Sequence, residues 1–325
     1  MRRGLALIGA LLALVLLALA AGRTWMAPGE LAQALLAGPE GAGRMVWSLR
    51  LPRVAVGLVV GFAFGLSGAV VQSLLRNPLA SPDVIGVTQG AAFGAVAALV
   101  AGLPPLPGAW AGGLAVLLAL GWLAAHPREG LAPRAVVLQG LGLALMAAAG
   151  TEALILRAGD GTAAMAMLWL SGTLNGAGWG QVAHALWLLP LALPLVLAGR
   201  ALDRLEMGDD MARALGLRVG ALRAGLGLGA ALLAAGAVAL CGPMSFVALA
   251  AGPVARWWQG GRPAPGTAGL IGAGFVTLAD LLARSLAPAA LLPTGLYTAL
   301  IGAPVLIWVV RRAARREGGG HAVHD

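Results

Sequence analysis

The sequence lacks lysine altogether and contains one cysteine and four histidines in 325 residues. Without lysine it cannot form the Gly-x-x-x-x-Gly-Lys-Ser/Thr loop that binds nucleotide phosphates, which excludes ATP hydrolysis by that machinery. The single cysteine, Cys241, excludes an internal disulfide. The histidines do not follow the spacing of a zinc site. We therefore expect no catalytic residue, no metal site and no cofactor in this chain.

Charged residues are also scarce. They make up 11% of the chain, whereas soluble domains contain about 25%. With 59% hydrophobic residues and a mean hydropathy of +0.87, the chain is too apolar for an ordinary soluble domain or for disorder. The net charge of +9 comes from 22 arginines, most of them between apolar runs. This pattern predicts contact with membrane lipid and none with nucleic acid.

Ten apolar segments are candidates for membrane-spanning helices, each of which needs about 20 residues. The eighth is short and contains Pro253, so it is the weakest of the ten. The ten spans leave no room for a soluble domain. We expect an all-α, polytopic membrane protein in which residues 1–325 form a single transmembrane permease domain. The predicted spans are 5–22, 54–75, 84–102, 108–125, 133–156, 182–199, 224–241, 243–258, 266–287 and 295–311.

The first span has two interpretations. Arg2 and Arg3 precede an apolar run that ends in Ala18-Leu19-Ala20, as in a secretory signal with a small-residue cleavage site. The run is longer than the apolar region of a typical signal peptide. We expect a retained anchor helix, with a cleaved signal as the alternative.

The arginines predict the orientation of the chain, because cytoplasmic loops of membrane proteins are enriched in basic residues. With a cytoplasmic N-terminus and ten alternating spans, sixteen arginines lie inside and six outside. We therefore expect both termini in the cytoplasm. The six arginines predicted outside are Arg23, Arg44, Arg50, Arg53, Arg157 and Arg284.

A weak internal duplication relates the second to fifth spans to the seventh to tenth. Arg50-Leu-Pro-Arg53 opens one glycine-rich helix, and residues 218–223 open another. In the predicted topology the two helices run in opposite directions, which indicates an inverted repeat of the kind found in many transporters. The four-residue spacing of Gly57, Gly61 and Gly65 also predicts closely packed helices.

Few polar side chains fall within the predicted spans. Asp280 and Arg284 lie one helical turn apart, so they either form an ion pair or act directly in transport. Glu152 and Asp280 are the only carboxylates in these spans, and both lie near the outer ends. A proton relay would need several ionisable groups at membrane depth, so this distribution argues against a proton-driven carrier.

Three stretches carry more specific motifs. The first holds Arg50-Leu-Pro-Arg53, Leu66-Ser-Gly-Ala69 and Arg76-Asn-Pro-Leu-Ala80; the second holds 207–217 and Gly242-Pro-Met-Ser-Phe-Val247; the third holds Leu292-Pro-Thr-Gly295 and Ile301-Gly-Ala-Pro304. Together these motifs resemble the FecCD family, the permease subunits of type II ABC importers for iron-siderophores, haem and cobalamin. The resemblance extends over nearly the whole chain, in order.

The resemblance implies a homodimer in a bacterial inner membrane. It further implies two ABC ATPase subunits, which would bind ATP and Mg, and a periplasmic substrate-binding protein. The implied cargo is an iron chelate (a siderophore) or haem, with cobalamin or an oxyanion such as molybdate as alternatives. A secondary carrier driven by an ion gradient, which needs no ATPase, is a further alternative, and a membrane-embedded enzyme ranks last.

The cytoplasmic segment 206–223 has the pattern of a docking element. Gly208-Asp209 can cap a short helix, with Asp209 and Asp210 near its positive end, and Gly216 can end that helix in a left-handed conformation. A short amphipathic helix outside the bundle favours docking over a solvated loop. By resemblance this is the coupling helix that fits a cleft on the ATPase. The residues expected to couple are Asp209, Ala212, Arg213, Leu215, Gly216 and Leu217.

The resemblance also implies a docking role for Arg50, Arg53 and Arg284, which would receive acidic residues of the binding protein at the outer end. Contact with lipid headgroups, or a local pair with Asp280, is the alternative. The homodimer would enclose a transport path at its interface. The residues expected to line or gate this path, rather than only to pack, are Ser67, Gln72, Met146, Met165, Met167 and Thr294.

The sequence departs from the family pattern after Phe246. Positions that usually hold Gly, Pro and His are Ala248, Gly252 and Pro253 in this chain. Of the Gly-x-Asp-His-Arg motif that follows, only Arg262 remains. We therefore expect the inner loop at residues 259–262, continuing to residue 265, to differ in shape from that of the family.

Overall fold

The computed structural model describes residues 2–22, 24–126, 130–131, 133–286 and 292–318, and most of them are helical. Two short strands, β1 Ala125–His126 and β2 Gly130–Leu131, form an antiparallel pair. The prediction of an all-α membrane protein is confirmed.

The helices of the described chain fall into long and short groups. The long helices are α1 Arg2–Ala20, α3 Leu51–Leu75, α5 Pro105–Ala124, α6 Pro133–Arg157, α12 Val219–Cys241, α14 Pro265–Leu286 and α15 Thr294–Gly318. The shorter helices are α2 Pro28–Ala37, α4 Val87–Val100, α7 Asp160–Leu170, α8 Trp179–Leu186, α9 Leu188–Leu197, α10 Gly199–Glu206, α11 Asp209–Ala214 and α13 Val247–Trp258. A 3₁₀ turn at Gly41–Gly43 and a π-helical turn at Val46–Arg50 precede α3.

All ten predicted spans coincide with helices, but only eight helical stretches of the described chain are long and apolar enough to cross a membrane. α4 has 14 residues and α13 has 12, because non-helical backbone precedes both. Before α4 lies a turn over residues 76–86 that ends at Gly86 with φ 82°. Residues 242–246, which precede α13, are also not helical. α7 is additional to the predicted set.

Helix packing follows the predicted inverted repeat. With α3–α6 as one set and α12–α15 as the other, α3 packs on α14 just as its equivalent α12 packs on α5. The pairs α4–α5 and α13–α14 are equivalent, and so are α3–α13 and α12–α4. The last helix of each set contacts the second and third helices of the same set. α12 and α3 contribute more residues to the main hydrophobic core than any other helix.

The contact between α3 and α14 brings two backbones together. A Cβ atom on Gly61 would overlap the Gly272 carbonyl oxygen, and a Cβ on Gly272 would overlap the Gly61 carbonyl oxygen. The glycine spacing on α3 therefore reflects a real helix contact. Gly225 on α12, in contrast, has no neighbouring atom within 4 Å of an added Cβ.

Residues 171–178 form irregular backbone that joins three helix ends inside the bundle. The Thr173 N–H donates to the Cys241 carbonyl at the end of α12 at 2.7 Å, and the Gly295 N–H at the start of α15 donates to the Gly172 carbonyl at 2.8 Å. Gly172 has φ 72°, and a Cβ there would overlap the Pro243 carbonyl oxygen. Non-helical backbone is tolerated at membrane depth when, as here, protein buries and pairs it.

Replacing Gly61 with valine should destabilise the protein, because the new side chain meets backbone of α14 rather than a movable side chain. Overpacking of this kind costs about 1–3 kcal/mol. Gly225→Val is the matched control, since it places the same side chain in a helix but in open space. Thermal unfolding of the two purified variants makes the comparison, and equal transition temperatures would contradict the proposed contact.

Candidate functional site

The segment predicted to couple, residues 206–223, begins at the last residue of α10, contains the short helix α11 and ends in the first residues of α12. Gly208, with φ 114°, turns the chain between α10 and α11, and Gly216, with φ 83°, ends α11. The N–H groups of Gly216 and Leu217 donate to the carbonyls of Arg213 and Ala212, as in a Schellman motif. The predicted helix and its left-handed end are therefore present. Gly208 is the N-cap of α11, and Asp209 and Asp210 lie in its first turn, as the sequence predicted.

The exposed apolar face of this segment differs from the predicted one. Ala212 is fully buried, and Leu217 is half-buried against the core. Met207, Met211 and Leu215 are 62%, 53% and 48% exposed. Met211 on α11 and Leu215 at its C-cap are four residues apart and so lie on the same side of that helix, whereas Met207 precedes the turn at Gly208. The two methionines were missed from sequence, although the spacing of Met211 and Leu215 was a readable signal.

Asp209 ties α11 to two long helices. Its carboxylate accepts hydrogen bonds from Arg223 of α12 at 2.7 and 2.8 Å and from Arg76, just past α3, at 2.5 Å. Arg76 also donates to the Leu205 carbonyl of α10 at 2.8 Å. Burial opposes ionisation of Asp209, but the hydrogen bonds and charges of Arg223 and Arg76 outweigh it and lower the pKa. The carboxylate is therefore ionised at neutral pH.

A second ion pair ties the end of α10 to α13. Arg256 donates to the Glu206 carboxylate at 2.9 Å and to the Ser73 hydroxyl of α3 at 2.8 Å. Arg213, in contrast, pairs with Asp210 on its own helix, where both side chains are exposed. Ion pairs thus link the coupling segment to α3, α12 and α13.

The outer arginines are directed into the protein rather than toward a partner. Arg53 donates hydrogen bonds to the Asp280 carboxylate from Nε at 3.0 Å and from Nη2 at 2.8 Å. The Nε atom of Arg284 lies 3.0 Å from the same carboxylate. The Thr294 hydroxyl donates to Asp280 as well, at 3.0 Å. The expected ion pair between Asp280 and Arg284 is confirmed, and Arg53 shares it.

The Arg50 side chain contacts the C-terminal end of α1. It is 6% exposed and donates to the carbonyls of Leu19, Ala20 and Thr24, each at 2.7 Å. Arg284 donates to the Ala18 and Ala21 carbonyls at 3.1 and 3.2 Å. Two cations thus satisfy the last carbonyls of α1, where the helix dipole is negative. Cleavage after Ala20 would remove three of these five acceptors, the carbonyls of Ala18, Leu19 and Ala20.

The six predicted path residues divide into two groups. Ser67 and Thr294 are fully buried, and Ser67 donates to the Ala230 carbonyl of α12 at 2.6 Å, so neither lines a path in this structure. Gln72 is 1% exposed and donates to the Leu249 carbonyl of α13 at 3.0 Å. Met146 on α6 is 71% exposed, and Met165 and Met167 on α7 are 60% exposed. The methionines alone are accessible.

Several known proteins are similar to this chain in sequence, and a solved structure is similar to it in fold. A family model for the FecCD transport family matches residues 10–312. The chain is 37% identical to the achromobactin transport system permease protein CbrC of Dickeya dadantii (strain 3937), covering 92% of this chain and 88% of that protein. It is 40% identical to the Fe(3+) dicitrate transport system permease protein FecD of Escherichia coli (strain K12), with 81% and 84% covered. It is 35% identical to the vitamin B12 import system permease protein BtuC of Escherichia coli O157:H7, with 93% and 92% covered.

A solved structure agrees with these relatives. It is described as an inward-facing conformation of a metal-chelate type ABC transporter, and it matches with a TM-score of 0.82 at 26% identity. The match covers 95% of this chain and 98% of the other.

Asp209→Asn should destabilise the coupling segment, because the neutral amide cannot satisfy two arginines. We expect a loss of about 1–3 kcal/mol, since the site is partly exposed. Asp210→Asn is the matched control and should cost under about 0.5 kcal/mol, because that carboxylate is fully exposed. Thermal unfolding at neutral pH compares the two. The lowered pKa means that the contribution of Asp209 is present at neutral pH and is lost only in acid, as the pH falls through that pKa.

Arg50→Gln should lower stability as well as transport. Each buried carbonyl of α1 left without a donor costs about 1–3 kcal/mol. Arg44→Gln is the control, because Arg44 is exposed near the same end of the molecule. Thermal unfolding and binding-protein affinity are measured together. A variant of normal stability with weaker binding would show that Arg50 docks the binding protein instead of fixing α1.

Proposed function

The chain belongs to the FecCD transport family, and from this premise we propose that it is the permease of an ATP-driven importer that carries an iron chelate across the inner membrane of a bacterium. The family match, the multi-pass helical fold and the 0.82 TM-score support a permease. The iron cargo is inferred from relatives named for achromobactin and ferric dicitrate transport. Cobalamin is the second candidate, because the chain aligns with BtuC over 93% of its length.

A homodimer would place the transport path between two copies of the chain. The accessible methionines of α6 and α7 support this, because they lie on an exposed apolar surface together with Leu145 and Leu168. Methionine side chains are flexible and adapt to bulky ligands of irregular shape. Met146, Met165 and Met167 are therefore proposed to contact the cargo as it passes.

The coupling segment would fit an ABC ATPase subunit on each permease copy, and ATP and Mg would bind there. The exposed face of Met207, Met211 and Leu215 provides the apolar contact. The ion pairs of Asp209 and Glu206 provide the connection from that contact to α3, α12 and α13. ATP-driven closure of the ATPase pair would thereby shift the bundle between outward-facing and inward-facing states.

The outer end would receive a periplasmic substrate-binding protein. Arg50, Arg53 and Arg284 outnumber the single carboxylate of Asp280, so the excess charge of this cluster is positive. Such a field attracts acidic groups and raises the rate of association even when the arginines are held by internal bonds. The predominance of arginine in the segments predicted to be cytoplasmic supports a cytoplasmic location for both termini.

Uptake by a deletion strain tests the proposal. Labelled ferric siderophores, haem and cobalamin are supplied, and we expect loss of one compound that the wild-type chain restores. Uptake should stop on ATP depletion and persist with an uncoupler. Persistence without ATP would identify an ion-gradient carrier instead, and unchanged uptake of every compound would count against a chelate cargo.

Leu215→Asp should abolish this uptake while the protein still inserts and folds, because a carboxylate would enter the apolar ATPase contact. Leu215→Met is the control, since it keeps the side chain apolar and of similar volume. Membrane content of each variant is measured alongside uptake. Normal uptake by Leu215→Asp would refute the assignment of the coupling segment.

A further inference from the structure

Proline interrupts the hydrogen bonding of α13 where this helix crosses α3. Pro253 lies inside α13 and has no N–H, so it cannot donate to the carbonyl of Leu249, four residues earlier. Gln72 of α3 donates its side-chain amide to that oxygen at 3.0 Å. Because Gln72 is 1% exposed, the amide is shielded from water. A side chain of one helix thus replaces the backbone donor that another helix lacks.

The neighbouring residue makes this contact possible. A Cβ atom at Gly252 would overlap the side-chain oxygen Oε1 of Gln72. Any larger residue at 252 would therefore push the amide away from Leu249. Gly252 and Pro253 are the positions at which the chain departs from its family pattern. With Gln72 they form one arrangement, in which the proline removes a donor, the glycine makes space and the glutamine supplies the donor.

The part of α13 after the proline is attached to the coupling segment. Arg256, three residues after Pro253, binds Glu206 at the end of α10. The part before the proline is held against α3, where a Cβ atom on Gly68 would overlap the Ala248 carbonyl oxygen. The second half of this short helix therefore contacts the coupling segment as well as the bundle, since Arg256 also donates to Ser73 of α3 and Trp257 packs on Trp308 of α15.

An unfilled space lies beside the second half. A cavity of about 460 Å³ is bordered by Gln72, Pro253, Arg256, Trp257 and Glu206, among others. The space opens to the surface, since exposed residues such as Asn77 and Arg312 also border it. The cavity provides room for displacement where the chain bends most easily.

We infer that Pro253 is a hinge in α13, that Gln72 is the positioning residue that stands in for its missing N–H, and that residues 254–258 move with the coupling segment. The motion rests on the proposed function, whereas the hydrogen-bond substitution does not. Pro residues inside helices are common sites of bending. The Gln72 bond keeps the two halves of α13 aligned without a continuous backbone ladder.

A double-mutant cycle tests the substitution. Gln72→Leu leaves the Leu249 carbonyl without a donor and should lower the Tm by about 2–4 °C, as expected for the loss of a bond worth about 1 kcal/mol. Pro253→Ala restores a backbone N–H at the same oxygen. In the Pro253→Ala background, Gln72→Leu should therefore cost less than half as much. Equal costs in both backgrounds would overturn the role of Gln72.

Ser67→Ala is the matched control for the cycle. Ser67 also lies on α3, is buried, and donates to a backbone carbonyl, that of Ala230. That carbonyl belongs to α12, which contains no proline. The cost of Ser67→Ala should be the same with Pro253 or Ala at position 253. A change equal to that of Gln72→Leu would mean that Pro253→Ala alters the packing generally, which would also overturn the role of Gln72.

Transport kinetics test the hinge. Pro253→Ala stiffens α13, so we expect an unchanged or higher Tm together with a maximal uptake rate lowered roughly fivefold or more, as when a conformational step becomes limiting. The KM for the cargo should not change. A wild-type rate in Pro253→Ala would overturn the hinge even if the cycle holds. Absence of uptake by the wild-type chain would instead count against the proposed function, and the stability cycle, which needs no cargo, still decides the role of Gln72.

Discussion

Inside lipid, every backbone carbonyl and N–H must find a partner within the protein, and the architecture of this permease depends on that constraint. Within the long helices, the backbone N–H and carbonyl groups bond to one another. Difficulty arises where a helix ends or breaks within the bundle, and at several such places a side chain supplies the donor. Arg50 and Arg284 serve the end of α1, and Gln72 serves the carbonyl left by Pro253. Arg76 does the same for α10 at its exposed end.

These donors concentrate on one element. Arg50 and Arg53 lie at the start of α3, Gln72 and Ser73 near its end, and Arg76 just beyond it. α3 therefore extends from the outer arginine cluster to the coupling segment. Its glycine face lets α14 and α13 approach its backbone. A helix bonded at both ends and packed along its length is suited to carry force between the two faces of a membrane protein.

Much of this architecture could be predicted from the sequence. The apolar runs predicted every helix that crosses the bundle, and Gly216 predicted the end of α11. The ion pair of Asp280 with Arg284 followed from helical spacing alone. The structure differs from the sequence-based expectations in the length of two helices and in the direction of some side chains. α4 and α13 are shorter than spans because turns precede them, which hydropathy does not register. Arg50, predicted to face a partner, turns inward because the end of a distant helix offers carbonyls there.

The sequence by itself determined that this protein resides in lipid and where its apolar helical segments lie, because composition and periodicity are properties of the chain as written, and its motifs indicated the family. Only the tertiary structure decided which polar groups meet. Ser67, Gln72 and Thr294 read as path residues when taken one at a time, yet each bonds within the bundle. Their partners lie from 14 to 177 residues away, and contacts at such separations exist only after the helices have packed.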